Sequence, residues 1–145
     1  MYDRILVPTD GSEGTSEAID HAIRMATDQG ATLHAIYVVE NVAGGEATAA
    51  TVLDALEAAG QEAIDDLIER AESAGVETVE GVVARGTPHQ AILDYADEHD
   101  IGLVVMGTHG RTGVDRYLLG SVAERVVRLS DVPTLVVPLP DETGD

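Results

Sequence analysis

Five apolar runs of strand length alternate with four stretches of helical periodicity along this chain, and that alternation most constrains its fold. The runs are Tyr2 to Pro8, Thr32 to Val39, Val76 to Ala84, Ile101 to Met106 and Val132 to Val137. Between the first two, Ala18, Ile19, Ala22, Ile23 and Ala26 mark one face of a helix running from Ser12 to about Thr27. Leu53, Leu56, Ala63, Ile64, Leu67, Ile68 and Ala71 mark a long helix that closes near Gly75. Thr87-Pro88-His89-Gln90 opens a third helix as a capping box with proline at the first helical position. Ser121 to Leu129 is the fourth. Asn41 to Thr51, small and polar around Gly44-Gly45, reads as a loop or a frayed helix start.

Strands separated by helices of this length imply right-handed crossovers and a parallel sheet with helices on both faces. Ile101 to Met106 is too continuously apolar to face water on either side. The expected architecture is a single-domain, doubly wound, five-stranded α/β sheet over residues 1–140, with a short acidic tail, Asp141 to Asp145. In such sheets ligands sit beyond the carboxyl ends of the strands, where the winding reverses. Strand order 3-2-1-4-5 would bring together the loops after the first strand (Thr9, Asp10) and the fourth (Gly107 to Gly113).

The second of these loops carries the strongest chemical signal. Gly107-Thr108-His109-Gly110-Arg111-Thr112-Gly113, followed by Gly120-Ser121, reads G-x-x-G-x9-G-S between a strand and a helix. Glycines let backbone N–H groups approach phosphate oxygens, and the next helix aims its positive end at the same place. A wide turn with an ordinary helix start would use fewer glycines, although Ser121-Val122-Ala123-Glu124 is itself a capping box. Arg111, Arg116, Arg125 and Arg128 are half of the 8 basic residues. Arg125 and Arg128 suit the last turn of their helix, which leaves Arg111 as the candidate phosphate contact.

Asp10 fits two roles. It could cap the first helix in competition with Ser12, or take a ribose hydroxyl or a phosphate-bound magnesium ion. His109 lies inside the glycine loop and is a candidate ligand contact. His21, His34, His89 and His99 lack metal-ligand spacing and read as surface or satisfied residues. No Ser, His and Asp arrangement suggests a nucleophilic triad.

Charge narrows the partners. The 145 residues include 27 acids against 8 arginines, with no lysine, phenylalanine or tryptophan, for a net charge of −19. Such a chain repels nucleic acid and anionic lipid. The acids are scattered rather than blocked, which favours adaptation to a cytoplasm of multimolar salt, where the Debye length falls to about 3 Å or less. The absence of lysine removes a Walker A, a kinase and a receiver-domain lysine together. The first loop lacks G-x-G-x-x-G, which disfavours a dinucleotide site. Without cysteine, a membrane-length apolar stretch or a signal-peptide pattern, the expected location is cytoplasmic.

Ile5-Leu6-Val7-Pro8-Thr9-Asp10-Gly11-Ser12, Val105 through Arg111, Leu119 through Glu124 and Val132 through Val137-Pro138 together resemble the universal stress protein family, over nearly the whole chain. With every defining glycine and the serine intact, the chain is similar to the ATP-binding branch. The resemblance implies a Rossmann-like fold of the adenine-nucleotide α-hydrolase type. It implies that Asp10 contacts the ribose side, the backbone near Val38 reads adenine, and Gly107 and Gly110 border ribose and phosphates. Gly120, Ser121 and Val122 would hold the phosphate tail. Pro8, Thr9, Met106, His109, Arg111 and Gly113 complete the candidate contacts. The implied ligand is ATP, or AMP or ADP, with Mg2+ or Mn2+ carried on the phosphates near Asp10. The implied assembly is a homodimer paired through Val132–Val137, acting as a nucleotide-dependent sensor or regulator. A slow ATPase or phosphotransferase is one alternative. A partner-binding protein whose nucleotide only stabilises the dimer is another.

Overall fold

Each strand of the sheet alternates its side chains between two helical layers, and that alternation assigns the helices to their faces. The computed structural model describes residues 2–11, 13–40, 46–108 and 120–138. Its elements are β1 (Arg4–Pro8), α1 (Glu13–Gln29), β2 (Thr32–Val39), α2 (Glu46–Ser73), β3 (Val79–Arg85), α3 (Pro88–Glu98), β4 (Leu103–Gly107), α4 (Ser121–Leu129) and β5 (Thr134–Val137). All strand pairs are parallel, in the order β3-β2-β1-β4-β5. This is the doubly wound sheet expected from the sequence.

On one face, Ile5 and Val7 of β1 and Leu33, Ala35, Tyr37 and Val39 of β2 pack under α1 and α2. On the other, Leu6, Ile36, Val104 and Met106 pack under Ile92 and Ala96 of α3 and Ala123 and Val126 of α4. The central strands β1 and β4 are buried on both sides, as their unbroken apolar runs require.

Four strands begin later than periodicity suggested, and for β3 and β4 the reason is shared. The amide of Val76 donates to Ala71 O at 3.0 Å and that of Gly75 to Glu72 O at 3.1 Å, with Gly75 at φ 103. These are the paired bonds of a Schellman cap. Val76 therefore closes α2, and β3 starts at Val79. Ile101 does the same for α3, donating to Ala96 O at 3.0 Å beside Asp100 at φ 53. Of the two readings of Asn41 to Thr51, a loop or a helix start, the helix start holds for residues 46–51. Ala47, Ala49 and Ala50 are the strongest helix formers, and they extend α2 toward its N-terminus. Asn41 to Gly45 and the acidic tail Asp141 to Asp145 lie outside the described residues.

Candidate functional site

The carboxyl ends of β1 and β4 lie side by side at the point where the winding reverses, and they open into a cavity of about 450 Å³. Three bonds beyond the strand ends keep its rim in register. Thr9 N–H donates to Ile36 O at 2.9 Å, Gly86 N–H to Val39 O at 3.0 Å, and Thr108 N–H to Val137 O at 3.0 Å.

The turn after β1 is fixed from within. The buried hydroxyls of Thr9 and Thr15 lie 3.0 Å apart, and Gly11 N–H donates to Thr9 Oγ1 at 3.1 Å. Gly11 sits at φ +79, a conformation that L side chains rarely adopt. Asp10 is thereby held at the cavity rim between a buried threonine and a left-handed glycine.

The opposite rim is the start of α4. Gly120 is its N-cap at φ −64, ψ 158, and its carbonyl takes the first helical bond, from Glu124 N–H at 2.9 Å. Ser121 is therefore the first helical residue and not the cap, and no side-chain capping bond forms. The same holds at α3, where Thr87 occupies the N-cap before Pro88 but its side chain caps nothing. Both capping boxes read from the sequence are corrected by this. At α4, glycine supplies the extended backbone without a Cβ, so the first-turn N–H groups of Ser121, Val122 and Ala123 lack intrahelical acceptors beside the cavity.

Among the described lining residues, Asp10 and Glu40 are the carboxylates, and none is histidine or arginine. The positive potential in this part of the cavity comes from the helix end, equivalent to roughly half an elementary charge. Arg125 and Arg128 lie further along α4, with Arg128 3.6 Å from Glu124 on an exposed face.

The structure brings together Pro8, Thr9, Asp10, Val38, Met106, Gly107, Gly120, Ser121 and Val122 around one cavity. His109, Gly110, Arg111 and Gly113, with Arg116, lie outside the described residues, as does Ser12. Sequence reasoning missed Thr15, Tyr37, Glu40, Leu56, Pro88 and Ile92, which also line it. Pro88 was reachable, because the turn after β3 opens at the same sheet end. Leu56 was not, because its place depends on how α2 docks. Gly60 sets that docking: a Cβ there would come within 2.6 Å of the Tyr37 ring. Arg85 pairs with Glu57 and ties α2 to the end of β3, holding the Glu57 carboxyl below its ordinary range.

One histidine reading is overturned. His34 is neither exposed nor satisfied: it is 3% exposed, its Nδ1 lies 2.7 Å from Tyr95 Oη, and its Nε2 has no partner.

An open parallel α/β sheet with a cavity at its switch point and a glycine-capped helix aimed into it defines a Rossmann-like protein. The chain belongs to the universal stress protein family, whose family model matches residues 1–138. It is 40% identical over 144 residues to Universal stress protein MJ0531 of Methanocaldococcus jannaschii, covering 97% of this chain and 84% of that protein. The solved structure of the universal stress protein UspA from Lactobacillus plantarum superposes with a TM-score of 0.87 at 28% identity, covering 94% of this chain and 97% of the other. A universal stress protein crystallised in complex with cAMP superposes with a TM-score of 0.75 at 27% identity, covering 96% and 98%. Among the described residues, no helix is long and apolar enough to cross a membrane.

Proposed function

We propose that this chain is an adenine-nucleotide-binding stress protein of the cytoplasm, a homodimer that takes ATP and acts as a nucleotide-dependent sensor or regulator. One observation carries this reading: the first turn of α4, Val38 and Asp10 all line one cavity of about 450 Å³. In it, the apolar wall of Ile36, Met106, Pro88 and Ile92 receives the base. Main-chain groups at Val38 read its edge, Asp10 takes the ribose, and the α4 N–H groups take the phosphates. Arg111 would add a phosphate contact.

A divalent ion fits this donor set in one way. Mg2+ binds through one or two carboxylates plus substrate phosphates rather than an all-protein cage. Asp10 and Glu40 are the described lining carboxylates, with Asp10 at the β1 turn, so Mg2+ or Mn2+ would be carried in on the nucleotide beside Asp10. Bound there, the ion would neutralise phosphate charge beside Asp10.

Displacement of a fluorescent ATP analogue by unlabelled nucleotides tests the reading. ATP, ADP and AMP should compete and GTP should compete poorly, because main-chain groups at Val38 match the adenine edge. Equal competition by GTP would remove the adenine assignment. For the dimer, β5 is an edge strand with Leu135 exposed. Leu135→Asp should yield a monomer by sedimentation, and an unchanged mass would rule out pairing through β5.

A further inference from the structure

Away from the cavity, on the face covered by α3, a buried histidine and two half-buried rings form a cluster that the nucleotide site does not use. His34 of β2 meets Tyr95 of α3 edge-on, with centroids 5.5 Å apart and planes at 67°. His99, at the end of α3, stacks on Tyr95 at 3.7 Å and lies 5.7 Å from His34. His99 Nδ1 is 3.0 Å from the Tyr95 carbonyl, which can only accept, so that nitrogen carries the proton. His34 has one partner for its two ring nitrogens, the Tyr95 hydroxyl.

We propose that His34, Tyr95 and His99 form an acid-sensitive latch that seats α3 on the sheet. A neutral His34 fits as it stands, with one hydrogen bond and one bare nitrogen. A protonated His34 has two N–H groups. The first would need the Tyr95 oxygen as acceptor, forcing that hydroxyl to turn its own hydrogen elsewhere, and the second has no acceptor.

The charged groups around it do not repair this. Glu80, on β3, is the register neighbour of His34 and is exposed; its carboxylate favours a cationic ring but makes no hydrogen bond to the bare Nε2. Asp94 and Glu98 of α3 border the same groove beside Glu80 and His99. From β1, Leu6 offers only an apolar neighbour, and Arg4 opposes a positive charge. His99 opposes it too. Burial holds the His34 ring below its ordinary pKa and keeps the Tyr95 hydroxyl protonated, so no phenolate forms to retain the cation.

The latch connects to the cavity at both of its ends. Residues 36–39 of β2 and Pro88 and Ile92 of α3 line it, so loosening α3 against β2 loosens the base-side wall. This second half rests on the nucleotide reading given above.

Amide hydrogen exchange at about pH 7.5 and pH 5.5, corrected for intrinsic rates, tests the latch without any ligand. In the wild-type protein, α3 amides should lose protection by about tenfold at the lower pH while α1 keeps its own. In His34→Gln, which hydrogen-bonds but does not titrate, α3 protection should not respond to pH. Tyr95→Phe keeps the ring stack and should leave α3 weakly protected at both values. Wild-type α3 protection indifferent to pH, or a His34→Gln protein with the wild-type response, would overturn the latch. ATP titrated into the same two proteins tests the coupling: affinity should fall with acid more in wild type than in His34→Gln. An equal fall overturns the coupling. Absence of ATP binding at both pH values overturns the nucleotide reading, while the exchange result still decides the latch.

Discussion

Gly120 N–H donates to the Thr108 carbonyl at 2.6 Å, which ties the start of α4 to the end of β4. Thr108 is itself tied to Val137 of β5, which fixes that point to the sheet. Thr108 and Gly120 are therefore held together beside the first turn of α4.

Gly60→Ala should destabilise the protein although alanine is the better helix former. The gain in helix propensity is about 1 kcal/mol. Against it, a Cβ placed 2.6 Å from the buried Tyr37 ring forces α2 or Tyr37 to move. Overpacking of this kind costs about 1–3 kcal/mol. Urea denaturation should show a lower midpoint, and a raised midpoint would mean that the ring yields freely.

Asp100→Gly should do the opposite. Asp100 holds the left-handed position of the α3 cap at φ 53, where α1 and α2 use Gly30 and Gly75. Relief of that conformation outweighs the extra freedom of glycine in the unfolded chain, for a gain of about 0.5–1 kcal/mol. Thermal denaturation should move upward, and a lower melting temperature would contradict the cap assignment.

Much of the architecture was legible because burial writes itself into periodicity. The double-sided burial of β4 appears as an unbroken run, and the α1 face appears in Ala18, Ile19, Ala22, Ile23 and Ala26. The strand starts were not legible, because Val76 and Ile101 look like strand residues but serve as helix caps. Much of the cavity was legible because glycines and the β1 turn cluster at one end of the sheet. Tyr37 and Leu56 were hidden because their place depends on the approach of α2 at Gly60. His34 was misread because a histidine in a strand carries no sign of what packs over it.

The pH dependence of stability has a definite sign. Burial chiefly lowers the folded-state pKa of His34 from the ordinary 6.5, with Glu80 opposing. The unfolded chain then binds the proton first, so stability from this group is complete above about pH 6.5 and is lost as pH falls toward the folded value. The stability difference between wild type and His34→Gln should shrink in that window. A difference that grows on acidification would reverse the assignment.

A net charge of −19 makes the fold dependent on screening. At about 0.1 M salt the Debye length is ~10 Å and scattered carboxylates repel one another, whereas at 1 M it is ~3 Å. The melting temperature should rise steadily with KCl into the molar range. Indifference to KCl would sink the salt-adaptation reading.

The central claim is that the first turn of α4 holds the phosphates, and Ser121→Pro tests it most directly. Gly120 already has the extended backbone that precedes proline, and proline is tolerated at a first helical position. The variant should fold and melt as the wild type does while lacking one N–H and one hydroxyl at the cavity. In calorimetric titrations with ATP and Mg2+ in multimolar KCl, the wild type should bind one nucleotide per chain. Ser121→Pro should bind about 10- to 100-fold more weakly, as the loss of a charge-assisted hydrogen bond requires. Equal affinity in a folded Ser121→Pro protein, or no binding by the wild type, would contradict the account.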